Sequence, residues 1–331
     1  MSVDVKLFDD LDAVAADAGG ALDRAAQPRI YNRIDWFRRV AALCPIDGRP
    51  LIARARDGDA AAWLFLARKG VRAQALASWY TLDFQLVTQG GGGPLIDDIA
   101  SNLKGIAHLT LSPVADPAPI AAAFRKAGWI TALSPATVTW EIEPPADFES
   151  YWASRPGKLR STAKRKGRKA GLDIAIHREF DADAWDAYRE IYEASWKPEE
   201  GSWDFMRSFA EAEGAAGTLR LGIAVRDGKP IAAQLWHVEN GRATIHKLAY
   251  REDAKDLSPG TILSEAMFRH VIEQDRPQVI DYGTGNEPYK ADWMEGARKM
   301  WRIDCWKRNH PAAWPGLVRH LLGLVRRRLS L

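Results

Sequence analysis

Only two cysteines, Cys44 and Cys305, occur in 331 residues, and they lie far apart. That rules out a disulfide framework and a zinc centre built on cysteine, and it fits a reducing compartment. Long apolar runs are missing too: no stretch approaches the ~20 residues that a membrane-spanning helix needs. The opening segment, MSVDVKLFDDLDAVAADAGG, is acidic and lacks the apolar centre of a secretory signal. A cytoplasmic location is the expectation. Nor is charge of one sign in large excess. The net charge is +3, so the chain as a whole exerts little pull on nucleic acid. Neither cysteine sits in a motif and no serine stands in a nucleophile elbow, so no covalent intermediate is expected. No metal is expected either.

What the chain has is an ordinary globular balance, 47% hydrophobic and 27% charged, over a length that suits one large domain or two average ones. Fourteen tryptophans are many for that length. Such rings serve as core and interface anchors or as the walls of a substrate groove.

The clearest pattern runs from Leu219 to Gly283. Leu219, Leu221, Ile223 and Val225 alternate as in a strand. The turn RDGK (226–229), a strand PIAAQLWHV, the turn ENGR (239–242) and a strand 243–250 complete a meander. A helix is predicted from Pro259 to about Glu273, with Ile262, Leu263, Ala266, Met267 and Val271 as its apolar stripe. A strand over 278–283 follows. The first half repeats this order. Strands are predicted at 50–55, 61–68 and 71–79, then the glycine run Gly90–Gly93, a helix at 94–104 and a strand at 106–112. A helix at 117–127 and a strand at 129–142 close that half. The repeated order suggests an internal duplication. The fold class is α/β (α+β), with mixed sheets flanked by helices. The expected division is residues 1–147, residues 148–311 and a basic amphipathic helix at 312–331.

Ser258-Pro259-Gly260-Thr261 opens the predicted helix of the second half. Its first-turn N–H groups and dipole suit a phosphate, such as the diphosphate of an acyl-CoA; the bland alternative is an ordinary capped helix start. In the first half the glycine run takes the equivalent place and reads as a flexible loop. The run 155–171 carries eight positive charges and no acid. It reads as a solvated helix face or as a recognition surface for an anionic acceptor. With no aromatic residue interleaved it is a poor base-stacking surface, and nucleic acid is not the expected partner. The segment 314–331 combines apolar Leu317, Leu321, Leu324 and Val325 with Arg326–Arg328. It suits either a closing helix or peripheral contact with an anionic membrane at its inner face. Oligomeric state is not legible.

A meander, a Pro/Gly loop at a helix start and a following strand resemble the acyl-CoA core of the GNAT superfamily of N-acyltransferases. YREDAKDLSPGTIL (250–263) and DYGTGNEPYKADW (281–293) carry the resemblance, supported by LASWYTLDFQLV (76–87), SYWASRPGKLRSTAKRKGRKA (150–170) and YEASWK (192–197). Within the superfamily the chain is similar to the CelD-like acetyltransferases associated with bacterial cellulose and exopolysaccharide biosynthesis. These in turn are similar to the Fem-type peptidoglycan aminoacyltransferases. The resemblance implies two tandem GNAT-like folds, of which only the second keeps the donor loop. That loop departs from the commoner Arg/Gln- and Gly-rich form, so the donor is less firmly implied than the fold.

The resemblance also implies where chemistry sits. Acetyl-CoA or another acyl-CoA is the donor, gripped by Ser258, Pro259, Gly260 and Thr261. Its arm lies between splayed strands, with backbone N–H groups of Leu248, Ala249 and Tyr250 near the thioester carbonyl. Asp281, Glu287 and His246 are candidate bases. Asp281 reads equally as a cap of the strand end or a partner of Lys290, and His246 reads more readily as a core histidine than as a base. Tyr289 is the candidate acid for the leaving thiolate, and Lys290 a phosphate or carbonyl ligand. Trp196, Lys197 and Gln234 are acceptor-side candidates. The expected acceptor is an amine on a small molecule or glycan, attacked directly in a ternary complex. Two other readings stand beside this one: a Fem-type transfer of an aminoacyl group from tRNA, and a non-catalytic scaffold of a polysaccharide-synthesis complex.

Overall fold

The computed structural model describes residues 3–329. Its strands are β1 (Asp4–Phe8), β2 (Arg49–Asp57), β3 (Ala60–Lys69), β4 (Arg72–Ala75), β5 (Val87–Gln89), β6 (His108–Val114) and β7 (Trp129–Ile142). They continue as β8 (Asp173–His177), β9 (Leu219–Arg226), β10 (Lys229–Glu239), β11 (Arg242–Tyr250), β12 (Val279–Thr284) and β13 (Gly296–Lys307).

The chain forms two compact units, one of Met1–Thr137 with Lys299–Leu331, the other of Val138–Arg298. These boundaries differ from the expected 147 and 311 because both fall inside a strand, β7 and β13. In the first unit the order is β1-β2-β3-β4-β6, completed by β13, whose Trp301–Trp306 pair antiparallel with β6. In the second it is β8-β9-β10-β11-β12, completed by the last residues of β7, where Ile142 faces Ile280 and Glu141 faces Asp281.

The duplication is plain in the topology. Each unit runs strand, two helices, a three-strand antiparallel meander, a helix, and then a strand parallel to the last of the meander. In the first unit the parallel pair is β4 with β6, and in the second β11 with β12. Helices Leu11–Ala18 and Ile34–Leu43 of the first unit correspond to Ala182–Glu193 and Trp203–Ala215 of the second. Ile96–Asn102 corresponds in the same way to Pro259–His270. The result is a mixed α/β fold of two repeats with one topology.

The second unit shows why its sequence folds this way. β10 reads almost continuously apolar because both of its faces are covered. Trp236 packs edge-on against Phe268 of the helix Pro259–His270, at 5.1 Å between centroids. His237, one residue on, points the other way, to Phe209 of the helix Trp203–Ala215. The two-residue turns at Asp227–Gly228 and Asn240–Gly241 have positive φ throughout, the primed-turn geometry that sets the meander's register. Asp181 accepts a hydrogen bond from the Ala184 N–H at 2.8 Å and Ser202 one from Phe205 at 3.1 Å, capping the helix pair. Gly222 lets the helix Pro259–His270 lie close on the sheet, since a Cβ there would stand 2.5 Å from the Met267 sulfur.

Two expectations change in the first unit. The strand over 71–79 ends at Ala75, and a turn closed by the Thr81 N–H on the Ser78 carbonyl follows it at 2.9 Å. The glycine run is no flexible loop. A Cβ on Gly92 would lie 2.0 Å from the Ala61 carbonyl oxygen and one on Gly90 2.6 Å from that of Asp59, so the run is pressed against β3. A helix covers Trp314–Leu329, and the side chains of Leu321, Leu324, Val325 and Arg326–Arg328 lie outside the described residues. Among the described residues no helix is long and apolar enough to cross a membrane.

Candidate active site

The site grows from the parting of two strands. β11 and β12 pair only at Arg242–Val279, Ala243–Ile280 and Thr244–Asp281. β11 then runs on to Tyr250 along β10. A bulge helps turn it: Leu235 faces Lys247 and Trp236 faces Ile245, so His246 is the extra residue. Farther along, the Arg251 N–H bonds the Ile231 carbonyl at 2.9 Å. In an antiparallel ladder this makes Tyr250–Ala232 a pair without mutual hydrogen bonds. The main-chain groups of Tyr250, and of Leu248 two residues back, therefore turn away from β10 toward the gap. Ala249 sits in the alternate register and faces β10 with its N–H. The expectation of three amides at the gap thus narrows to two.

At the gap is a cleft of 210 Å³. Trp196, Leu248 and Tyr250 line one side; Gly260, Thr261 and Ser264 of the following helix line another; Tyr282, Tyr289, Asp292, Trp293 and Leu159 complete it. Trp196 is 46% exposed and meets the Tyr250 ring at 4.2 Å. Trp293 stacks on Phe268 at 4.9 Å. Its carbonyl accepts hydrogen bonds from the Tyr151 hydroxyl at 2.9 Å and Arg155 Nη1 at 2.8 Å. Arg155, the first cation of the basic run, is thus buried as a brace for the cleft, and its guanidinium also pairs with Glu295. The rest of the run forms the helix Gly157–Ala170. Leu159 and Ala163 face inward, while Lys158, Arg160, Lys164, Arg165, Arg168 and Lys169 are exposed.

The helix start departs from a simple phosphate nest. Ser258 has φ 55° and its side chain makes no cap bond. Pro259, buried, has no N–H. The N–H groups of Thr261 and Ile262 both turn to the Ser258 carbonyl, at 3.1 and 3.2 Å. The cleft-facing contribution therefore falls to Gly260 and to the Thr261 side chain. A Cβ on Gly260 would stand 3.0 Å from Tyr250 Cδ1.

Of the candidate acids and bases, Tyr289 alone lines the cleft. Burial raises its pKa, so the phenol keeps its proton. Asp281 is elsewhere. It is 5% exposed and accepts from the Gly283 N–H at 2.8 Å, Thr139 Oγ1 at 3.1 Å and Arg242 Nη1 at 3.2 Å. Burial raises its pKa against the pull of Arg242. Its cation partner is Arg242 rather than the expected Lys290. Lys290 is buried, donates to the Thr284 carbonyl at 2.6 Å and pairs with Glu287 at 3.1 Å, bracing the loop rather than presenting a charge to the cleft. Burial lowers its pKa. Glu287 is exposed; burial works against its ionisation, but Lys290 holds its pKa below the usual range. The His246 ring packs on Phe209 at 4.7 Å, and burial, helped by His237 and Lys247, pushes it down to about 3. It stays neutral and is a feeble base.

Among acceptor-side candidates, Gln234 is spent in the core. Its amide donates to Ser264 Oγ at 2.6 Å and its carbonyl accepts from Trp236 Nε1 at 2.9 Å, so it positions Ser264 rather than touching the cleft. Lys197 is half-buried with its ammonium 5.6 Å from the Trp196 ring. Burial, with Lys247 nearby, lowers it to about 8. Leu159, Ser264, Tyr282, Asp292 and Trp293 were not expected in the site. Tyr282, Asp292 and Trp293 lie inside the motif DYGTGNEPYKADW and Leu159 inside SYWASRPGKLRSTAKRKGRKA; Ser264 lies just beyond YREDAKDLSPGTIL.

Comparison with known proteins agrees with this architecture. Residues 155–291 match the family model described as an acetyltransferase (GNAT) domain. That match and the splayed pair mark the second unit as a GNAT-type acyltransferase domain, and the protein as an acyltransferase. The chain is similar in fold to the C-terminal domain of a putative lysylphosphatidylglycerol synthetase from Agrobacterium fabrum (TM-score 0.59, 13% identity, covering 93% of this chain and 96% of that one). It is also similar to L-PGS from Bacillus licheniformis (0.52, 14%, 83% and 89%). FemX gives 0.53 at 9% identity, covering 81% of this chain and 94% of its own. Among curated proteins, none matches the sequence significantly.

Proposed function

We propose that the protein is a cytoplasmic N-acyltransferase that moves an acetyl or longer acyl group from acyl-CoA to an amine in a ternary complex. The observation that carries this reading is the loss of pairing between β11 and β12 beyond Thr244 and Asp281, beside an aromatic cleft. A donor's amide-rich arm would complete the exposed edge of β11 as an added strand, using the main-chain groups of Leu248 and Tyr250. Gly260 and Thr261 would meet its phosphates. The acceptor nitrogen attacks the thioester carbonyl, and the Leu248 N–H steadies the oxyanion. As the carbon–sulfur bond breaks, the Tyr289 hydroxyl gives its proton to sulfur, and the proton shed by the new amide nitrogen restores the phenol. Trp196, with Lys197 behind it, would border the acceptor. An amino sugar or polysaccharide precursor fits the CelD-like resemblance, and the terminal helix fits peripheral contact with the inner membrane face. Isothermal titration with CoA tests the reading: saturable binding lost in Gly260→Trp supports it, and no heat at millimolar CoA contradicts it.

A second reading has its own support. The exposed cations of the helix Gly157–Ala170 adjoin the cleft through Leu159, and the fold neighbours include FemX and lysylphosphatidylglycerol synthetases. On that reading the donor is aminoacyl-tRNA. Binding of tRNA that weakens steeply with salt and disappears on neutralising Lys164, Arg165 and Arg168 would favour it. Its absence would remove it. A scaffold without catalysis makes no use of a splayed strand pair, and an intact phenotype on loss of Tyr289 would be its mark.

A further inference from the structure

We propose that Glu213, His237 and Glu239 form a binding site for a first-row divalent cation, separate from the acyl-transfer cleft. Glu213 comes from the last turn of the helix Trp203–Ala215; His237 and Glu239 come from the same face of β10. Glu213 and His237 are 2% and 5% exposed, and Glu239 is half-buried. One donor atom from each lies within 4.8 Å of the others.

The three groups are held at separations that suit a shared ion. His237 Nε2 stands 3.1 Å from Glu213 Oε2 and 3.3 Å from Glu239 Oε2. Neither oxygen lies along a direction that gives the buried Nε2 a hydrogen bond. A buried nitrogen aimed between two carboxylates without a directed bond is a costly arrangement. Ligand atoms about 2.0–2.2 Å from one metal ion stand roughly 2.8–3.1 Å from each other at neighbouring corners of an octahedron and roughly 3.3–3.6 Å at those of a tetrahedron. The two observed separations, 3.1 and 3.3 Å, lie within the span of these edges.

Charge points the same way. An imidazolium between two carboxylates leaves one net negative charge in a largely dry place. A divalent cation held by neutral imidazole and the same two carboxylates leaves none. Imidazole with two carboxylates is a donor set for Zn²⁺, Mn²⁺ or Fe²⁺ rather than Mg²⁺ or Ca²⁺. An outer contact is present as well: Thr218 Oγ1 donates to Glu213 Oε2 at 2.6 Å. Bound there, the ion ties the end of β10 to the end of the helix Trp203–Ala215.

The test uses the full chain without an affinity tag, stripped with chelator and then titrated with Zn²⁺ or Mn²⁺. We expect a single ion per chain by elemental analysis and a rise in melting temperature on metal addition. Glu239→Gln, at a half-buried position, should weaken binding by at least roughly tenfold, and His237→Gln should abolish it. Equal metal content in the wild type and both variants would overturn the proposal. So would a stripped wild-type protein that takes up neither ion and melts unchanged in its presence, a result that needs no variant to fold.

Discussion

The Trp196 and Tyr250 rings meet at 4.2 Å with a tilt of 41°, one from the loop after the helix Ala182–Glu193 and the other from the end of β11. Together they make a wall of the cleft whose outer ring stays largely in water. Because Trp196 is exposed, Trp196→Ala should fold normally. It should raise KM about tenfold, from the ~1–1.5 kcal/mol such an aromatic contact contributes. Steady-state kinetics with acyl-CoA and an amine checks this; an unchanged KM for both substrates would remove Trp196 from the site.

Tyr289 is expected to act through its hydroxyl. Tyr289→Phe keeps the ring contact with Tyr282 at 5.9 Å. It should lower kcat by ~10²–10³-fold with little change in KM, the range for losing a general acid. Release of free thiol reports it. A variant with full kcat would place proton transfer elsewhere, and the exposed carboxylate of Asp292 would be the next group to test.

Gly260 is constrained by its neighbour. An added Cβ at 3.0 Å from Tyr250 Cδ1 obliges the ring to shift into the cleft. Gly260→Ala should therefore weaken CoA binding by about tenfold or more while changing stability by less than ~1 kcal/mol, since alanine suits a helix at least as well as glycine. Calorimetry and a denaturant melt separate the two effects.

His246 makes a signed pH prediction. Its folded value of about 3 lies below the 6.5 of a histidine in the unfolded chain. Between those values the unfolded chain takes up a proton that the folded chain refuses, so stability falls as pH drops from 6.5 toward 3. His246→Phe should lose less stability over that window than the wild type. Denaturation midpoints at pH 7, 5 and 4 show it, and parallel curves would contradict the assignment.

Arg220 and Asp275 form a buried two-point pair, at 3.0 and 2.6 Å, with 4% and 7% of their side chains exposed. Arg220→Met strands the carboxylate and should cost ~3–5 kcal/mol. The double variant with Asp275→Asn should recover part of that loss in the same melt.

Much of the second repeat was legible because its signals are local. Turns at 226–229 and 239–242, alternation over 219–225 and the Pro/Gly helix start each need only a few neighbouring residues, and each formed where expected. β13 was not legible. Its apolar positions are interrupted by Arg298, Lys299, Arg302 and Asp304, and a register shift between Trp301 and Ile303 breaks the period of two. The N-terminal strand Asp4–Phe8 and helix Ile34–Leu43 were likewise unread, since the repeat they complete is recognisable only through pairing. The cleft was half legible. Trp196, Tyr250 and Tyr289 sit in quoted motifs, but the partners that take Asp281 and Gln234 out of the site, Arg242, Thr139 and Ser264, are distant in sequence. A motif supplies residue types; only the fold decides which of them face the gap.

The most direct test is a crystal structure with CoA bound. The pantetheine arm should lie alongside Leu248–Tyr250 with main-chain hydrogen bonds to that edge, the diphosphate at Gly260–Thr261, and the sulfur within hydrogen-bond reach of the Tyr289 hydroxyl. CoA bound away from this cleft, or β11 and β12 closed on each other with the ligand outside, would contradict this arrangement.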